Sequence, residues 1–357
     1  MNATITGWGM AVPPTILSNE HLETLTETND EWIVSRTGIK ERRISHVPAS
    51  DMAAVAGKRA LACAGLQPED IDLLIVATCS GDTIIPSAAS FVQAKLGLTN
   101  AGAFDLNAAC SGWVYGLENA NAMIRSGLHR RVLLIGVERL SHHLDFSDRT
   151  TAVLFGDGAG ATVLEATDAD EGVLATTTGI DGSTADILWA PSEGTNVGPG
   201  ERTPDMGGIR MEGQEVFKRA VKMMGEASLT VLEAAGLGLE DVDLLVPHQA
   251  NTRIIDATAR RLKIDGDKVY VNIQKYGNTS AATIPMALTE AIEDGRVAPG
   301  SHIVFAAFGG GLTWAAGVVR WGERVTPLGE IDVDLEPTDA DVDELLAAQI
   351  SYFGKGV

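Results

Sequence analysis

Ala64-Gly-Leu-Gln-Pro-Glu-Asp-Ile-Asp-Leu-Leu-Ile-Val76 is answered by Ala235-Gly-Leu-Gly-Leu-Glu-Asp-Val-Asp-Leu-Leu-Val246, 171 positions further on (64 to 235). Each copy reads as a helix end, a turn and then a buried strand. A second pair of apolar runs, Val132 to Val137 and Ile303 to Phe308, repeats at the same offset of 171 (132 to 303). Two matches at one spacing imply duplication of a supersecondary plan. Leu73 to Ala77 and Val132 to Val137 are apolar throughout, not alternating, which is the pattern of strands covered by helices on both faces. The expected class is therefore α/β, built in layers.

Three segments follow from this pattern. The first half occupies residues 1–171 and the second 172–322. The junction falls within Glu165 to Gly172, where Thr, Asp and Ala displace the apolar pattern. Residues 323–357 hold nine acidic and two basic side chains and form an appended acidic extension. Within it, Thr338 followed by Asp341 predicts a helix start, with Val342, Leu345, Leu346 and Ile350 as one apolar stripe. Docking on the body is the simple role for that stripe, and binding a partner is the other.

Composition narrows the function classes. With 357 residues and 45% apolar content the chain can fill a sizeable core. No run approaches eighteen uninterrupted apolar residues, and Met1 to Pro14 lacks the order of a secretory signal, so a cytosolic protein is expected. Cys63, Cys79 and Cys110 form neither an even-numbered framework nor a C-x-x-C pair, which predicts reduced thiols. A net charge of -21 disfavours nucleic acid and anionic membranes as partners. There is no H-E-x-x-H or comparable spacing, which argues against a metal hydrolase.

The chemistry-bearing residues lie where strands end. Cys110, in Asn107-Ala-Ala-Cys-Ser-Gly-Trp-Val-Tyr, sits between a strand-like run, Ala103 to Leu106, and a helical pattern, so its sulfur is expected at an elbow. A helix N-terminus lowers a thiol pKa by less than one unit, about 0.3–1 kcal/mol, and a second group must assist. Cys63 and Cys79 have no elbow and read as packing. Of seven histidines, His21, His46, His129, His142, His143 and His302 sit in polar contexts expected on the surface. His248 instead follows the buried strand Leu244 to Val246, at the strand edge that carries chemistry in open α/β sheets. Asn278, in Tyr276-Gly-Asn-Thr-Ser-Ala-Ala, precedes another helix at an offset of 168 from Cys110. The duplication thus places it roughly at the nucleophile's position in the second half, as a neutral donor for an enolate oxygen. Phe308-Gly-Gly-Gly allows close approach of backbone amides. Gly156-Asp-Gly-Ala-Gly matches neither phosphate-binding fingerprint and reads as close packing.

Together these residues resemble the 3-oxoacyl-[acyl-carrier-protein] synthase III family of the thiolase superfamily, from about residue 2 to 321. The motifs are Asp30-Glu-Trp-Ile-Val-Ser-Arg-Thr-Gly-Ile-Lys-Glu-Arg-Arg43, Asn107 to Gly112, Phe155 to Gly160, Pro247 to Asn251, Gly277 to Ser280 and Phe308 to Gly311. The resemblance implies a thiolase-like fold of two halves, each with a five-stranded mixed sheet, layered α-β-α-β-α, and a homodimer. It implies catalytic Cys110, His248 and Asn278 and an oxyanion hole from the Cys110 and Gly310 amides. Trp32 and Arg36 would hold the adenine end of coenzyme A, with Arg149, Gly213, Phe217 and Asn251 along the pantetheine. The implied reaction loads an acyl group from acyl-CoA onto Cys110 and condenses it with malonyl-acyl carrier protein, initiating fatty acid synthesis without metal or redox cofactor.

Two features shape that expectation. The carrier protein is acidic, and Lys218, Arg219, Arg253, Arg260, Arg261 and Lys263 are candidates for its docking patch. Ile85, before Pro86, stands where the family shapes its acyl pocket, and a smaller residue there predicts room beyond acetyl. The alternatives are a related acyltransferase or specialised-metabolite ketosynthase with another acceptor, and a noncatalytic acyl-binding scaffold, which would not need all three reactive residues.

Overall fold

The computed structural model describes residues 1–190 and 208–354. Its two main sheets repeat one plan. The strands are β1 (Asn2–Ala11), β2 (Thr15–Ser18), β3 (Glu41–Ile44), β4 (Leu73–Ala77), β5 (Gly102–Leu106), β6 (Arg131–Arg139), β7 (Asp157–Thr167), β8 (Gly172–Ile180), β9 (Leu188–Trp189), β10 (Arg210–Met211), β11 (Leu244–Pro247), β12 (His302–Gly309) and β13 (Thr313–Arg320). The helices are α1 (Asn19–Leu25), α2 (Asp30–Thr37), α3 (Ala49–Ala64), α4 (Ala88–Leu96), α5 (Gly112–Arg125), α6 (Gly213–Ala235), α7 (Thr252–Leu262), α8 (Ile273–Tyr276), α9 (Thr283–Glu293) and α10 (Val342–Phe353).

The echoed sequences take the same shape. Helices α3 and α6 both end on a left-handed glycine, Gly65 at φ 69° and Gly236 at φ 71°, which glycine adopts without the Cβ penalty. A one-turn helix follows, tied by Asp70 accepting from the Gln67 amide at 2.9 Å and Asp241 accepting from the Gly238 amide at 2.8 Å. The chain then enters β4 or β11.

The first sheet runs β1-β7-β6-β4-β5 and the second β11-β12-β13-β8. The first sheet is antiparallel across β1-β7-β6 and parallel across β6-β4-β5, and the second is parallel across β11-β12 and antiparallel across β12-β13-β8, so in both the strand before the nucleophile or histidine loop is an edge strand parallel to its neighbour. The second sheet has four strands where five were expected. At the fifth position Val269 makes a single bridge to Leu245, and the Tyr270 amide donates to Leu245 at 2.9 Å. The ladder stops there because the Gln249 side chain takes over its partners, donating to Pro247 and Tyr270 carbonyls and accepting from the Asn272 amide.

Helices α5 and α9 lie between the sheets. Trp113, Leu117, Ile284 and Leu288 share one core with Ile75 and Leu134 of the first sheet and Val246 and Phe305 of the second, and Trp113 meets Phe305 edge-on at 5.1 Å. Helices α3 and α4 cover the outer face of the first sheet, and α6 and α7 that of the second. The layers therefore read α-β-α-β-α. Among the described residues, no helix is long and apolar enough to cross a membrane.

The acidic extension docks along the body. Arg324 and the Leu328 amide bind the Cys63 carbonyl, and Arg59 reaches the Val333 carbonyl. Helix α10 starts at Asp341, which exchanges caps with Glu344, and not at Thr338. Leu346 is buried with Leu17, Leu140 and Phe146, while Ile350 of the expected stripe stays 37% exposed. Three histidines expected to be merely solvated meet this segment: His46 bonds to the Glu336 carbonyl, His142 bonds to Gln349, and His21 Nε2 lies 3.1 Å from the Asp343 carboxylate.

The Gly156–Gly160 run is packing. Asp157 accepts from the Ser45 and Ser141 amides, and a Cβ at Gly160 would stand 2.6 Å from the Met286 amide nitrogen and 2.8 Å from the Pro285 carbonyl carbon. Gly160→Ala should therefore cost about 2 kcal/mol, the scale of overpacking a core, read as a lower urea midpoint. Gly182→Ala, with open space around the new methyl, should stay within about 0.5 kcal/mol of the parent.

Candidate active site

Two loops at strand ends, after β5 and β11, and the turn between α8 and α9 supply the reactive groups. After β5 the chain turns through Ala109 at φ 47° and enters α5; after the second-half turn it passes through Ser280 at φ 48° and enters α9. Ala109 and Ser280 are 171 positions apart, as are the starts of the two helices. The structural counterpart of Cys110 is thus Ala281, and Asn278 corresponds to Asn107. The offset of 168 had paired Asn278 with the nucleophile; the turn geometry corrects that by three residues and still brings Asn278 to the site.

Cys110, His248 and Asn278 line one cavity of about 770 Å³. The Asn278 backbone is fixed on both sides, donating to Leu154 at 2.8 Å and accepting from Gly156 at 3.1 Å. Its side-chain oxygen accepts from the Ser280 amide at 2.8 Å, which leaves the carboxamide NH2 as the donor end. His248, 1% exposed, donates its amide to Ala306 at 2.8 Å and sets Nδ1 2.6 Å from the Thr283 hydroxyl. That hydroxyl also lies 2.9 Å from the Ser280 carbonyl. Its single proton serves either neighbour, so His248 presents Nε2 to the cavity as a lone pair in one arrangement and as N–H in the other. Sequence reading missed Thr283.

The Cys110 and His248 side chains are both buried, and burial favours their uncharged forms. Burial lowers the His248 pKa from 6.5 to about 3. Burial likewise pushes the Cys110 thiol up to about 12, with the neighbouring Ser280 hydroxyl opposing the rise and the Glu138 charge adding to it. The Cys110 and Gly310 amides reach the same sulfur. Gly309 makes this possible, since a Cβ there would stand 2.6 Å from the Cys110 nitrogen.

Away from the sulfur the cavity becomes cationic and aromatic. Trp32, Arg36, Gly213, Phe217 and Asn251 line it, with Lys218 and Arg253. Arg36 lies over the Trp32 ring at 4.5 Å and Arg149 at 5.3 Å. Arg149 itself stands behind that ring and donates to the Glu27 carbonyl. Asn251 caps α7, and Arg253 covers Phe217 at 5.7 Å. Arg42, from the same motif as Trp32 and Arg36, is instead fully buried and bonded to Asn19 and Val153.

A second cavity of about 440 Å³ opens from Cys110 on the opposite side, with Leu140, Phe155, Ile180, Leu188 and Ile209 in its wall. Cys79 and His143 face it too, so neither the packing role expected for Cys79 nor the surface role expected for His143 holds. Ile85 lines neither cavity and is 86% exposed. The wall residues come from four separate segments and share no periodicity, so nothing in the sequence marked them. Arg260, Arg261 and Lys263 sit at the far end of α7, where Arg261 pairs with Glu226 at 3.3 Å; Lys218 pairs with Glu215 at 2.8 Å.

A buried thiol at the junction of a cation-mouthed cavity and an apolar one, on a duplicated layered frame, defines a thiolase-like condensing enzyme. Residues 104–182 match the family model described as 3-oxoacyl-[acyl-carrier-protein (ACP)] synthase III, and residues 232–321 match its C-terminal counterpart. The chain is 51% identical to beta-ketoacyl-[acyl-carrier-protein] synthase III 2 of Vibrio cholerae over 98% of this chain and 97% of that one. The crystal structure of the Aquifex aeolicus 3-oxoacyl-[acyl-carrier-protein] synthase III superposes with a TM-score of 0.84 at 47% identity, covering 89% of this chain and 100% of that one. The priming β-ketosynthase of the R1128 polyketide pathway gives 0.85 at 35%, covering 90% and 96%. The chain belongs to the 3-oxoacyl-[acyl-carrier-protein] synthase III family and is an acyltransferase.

The depressed His248 pKa makes the fold acid-sensitive. Below 6.5 the unfolded chain binds a proton that the folded site refuses, so stability falls as pH drops from 6.5 towards 3. Urea unfolding at pH 7 and pH 5 should show the parent losing about 2 kcal/mol more than His248→Gln, at 1.36 kcal/mol per unit. Equal losses would contradict the buried neutral imidazole.

Proposed function

We propose that the chain takes an acyl group from acyl-CoA onto Cys110 and condenses it with malonyl-acyl carrier protein to give a 3-oxoacyl product, the priming step of fatty acid synthesis. The position of Cys110 at the meeting of the two cavities carries this reading. The long cavity suits a phosphopantetheine arm, with Arg36 stacked on Trp32 at its mouth for the nucleotide end and Arg149 backing that ring. The apolar cavity suits the acyl chain.

In the first half-reaction the Cys110 sulfur attacks the thioester carbonyl, whose developing oxyanion sits between the Cys110 and Gly310 amides. CoA leaves. In the second, malonyl thioester occupies the emptied cavity, and loss of CO2 generates an enolate whose oxygen is held by His248 Nε2–H and the Asn278 NH2. The Thr283 hydroxyl supports that His248 tautomer by donating to Nδ1. The enolate carbon attacks the acyl-cysteine, and the thiol is released.

An acyl cavity of about 440 Å³, many times the roughly 30 Å³ of a water molecule, supports primers longer than acetyl. Homodimerisation is supported by the open edge of β5, whose first residues Gly102 and Ala103 are exposed, beside Ile84 and Ile85 at 71% and 86% exposure. Lys218 and Arg253 at the mouth, with the exposed Arg260, Arg261 and Lys263 at the far end of α7, support docking of an acidic carrier protein. A polyketide-priming acceptor is the second reading, favoured by the likeness to the R1128 enzyme.

Intact-protein and peptide mass spectrometry with acyl-CoAs from two to ten carbons tests this. A mass gain confined to Cys110 and absent from Cys110→Ala is expected, larger for medium chains than for acetyl. Malonyl-acyl carrier protein should then discharge it as the two-carbon-longer 3-oxo product. Failure to label Cys110 would contradict the function, and labelling by acetyl alone would contradict the primer assignment. Arg260→Glu should raise KM for the carrier protein by about tenfold, about 1.4 kcal/mol, with loading from acyl-CoA unchanged.

A further inference from the structure

Glu138 has no part in the chemistry above, yet it is the costliest group in the core. Its side chain is 0% exposed, and no Lys or Arg side chain bonds to it among the described residues. Five donors converge on it instead. The Cys79 amide stands at 3.1 Å, the Ser80 hydroxyl at 2.5 Å, the Thr78 hydroxyl and Cys79 thiol at 3.3 Å, and the Ser280 hydroxyl at 3.0 Å. The directions are fixed. Thr78 accepts from the Ser80 amide and Ser80 from the Arg139 amide, so both hydroxyl protons are left for Glu138. Burial pushes the Glu138 carboxyl above its ordinary range and that donor set opposes the rise, so the carboxylate is hydrogen-bonded yet more basic than a solvated one.

Ser280 stands between this carboxylate and the nucleophile. The left-handed turn before α9 fixes it, with its amide on Asn278; its hydroxyl donates to Glu138 on one side, and on the other it shares the lining of the smaller cavity with Cys110, close enough to bear on the thiol. The groups facing this network are the Cys79 thiol and the His143 ring, which share the cavity with Cys110, the Arg139 backbone and, across the site, His248.

We propose that Ser280 and Glu138 form the proton relay that generates the Cys110 thiolate. The thiol proton passes to the Ser280 oxygen as the Ser280 proton passes to Glu138 Oε1, converting thiol plus carboxylate into thiolate plus carboxylic acid. No charge is created; one negative charge moves from Glu138 to Cys110. Proton transfer to His248 would instead leave two anions and a cation in the same buried space, and burial opposes the imidazolium strongly. When the thiolate takes the acyl group, the departing CoA thiolate recovers the proton by the reverse route, so thiol and acyl-CoA become acyl-cysteine and CoA thiol. Ser280 is the catalytic group of the pair, and Glu138 acts through it. His248 is then kept for the condensation, where it is needed as a neutral donor.

The relay rests on Cys110 being the nucleophile, and its test does not require turnover. Iodoacetamide alkylation of Cys110 in the full-length protein, followed by peptide mass spectrometry to separate Cys79, reads thiolate directly. Because the transfer is internal, the parent rate should be flat across neutral pH, where the network holds one shared proton. Ser280→Ala and Glu138→Gln should each slow alkylation at neutral pH by about tenfold or more and turn the flat segment into a tenfold rise per pH unit, with the double variant no slower than either. Ser280→Ala removes one oxygen and keeps the turn, so it carries the test if Glu138→Gln does not fold. A tenfold-per-unit rise already in the parent, or a flat profile surviving in Ser280→Ala, would overturn the relay. Absence of an acyl-CoA adduct beside a flat alkylation profile would instead overturn the assigned function and leave the relay standing.

Discussion

The close contact of two backbone turns governs this molecule. The turn that carries Cys110 packs against β12, and the turn that follows Asn278 packs against β6, each through a glycine that leaves no room for a side chain. A Cβ at Gly309 would meet the Cys110 nitrogen at 2.6 Å, and one at Gly136 would meet the Ala281 carbonyl at 2.3 Å. Each half thus seats its elbow on the other half's sheet. The arrangement places the N-terminal ends of α5 and α9 together, and the cavities form on either side of the point where they meet.

From that contact the electrostatics follow. The chain carries a net charge of -21, yet the mouth of the long cavity is cationic and its base holds a neutral thiol and a neutral imidazole. A buried site cannot keep isolated ions, so acid–base work there proceeds by shifting protons along fixed hydrogen bonds. Thr283 gives His248 a choice of tautomer, and Ser280 links the thiol to the one buried carboxylate nearby. Both hydroxyls belong to the second-half elbow, so the half that lacks the nucleophile supplies the machinery that adjusts it.

Much of this was legible beforehand. The 171-residue echo fixed the layer order, because a repeated helix end, turn and apolar strand leaves few ways to build a core, and the strand-end positions of Cys110 and His248, with the elbow at Asn278, marked the site. What escaped reading lay in side-chain substitution for backbone and in surfaces assembled from distant segments. Gln249 replaces a strand's hydrogen bonds without any change in apolar pattern. Leu140, Phe155, Leu188 and Ile209 look like ordinary core until they face a void. Cys79 and Glu138 sit at the ends of two neighbouring strands, and only the pairing of β4 with β6 brings them together. The histidines His21, His46 and His142 could not be tied to the extension without knowing its path.

Diffraction from crystals grown with coenzyme A tests the convergence of the three loops most directly. The account predicts adenine density beside Trp32 and Arg36, a pantetheine arm past Phe217 and Asn251, and a terminal sulfur about 3.5 Å from Cys110 Sγ, with His248 and Asn278 facing the same space. Coenzyme A bound elsewhere, or Cys110, His248 and Asn278 opening into different cavities, would contradict it.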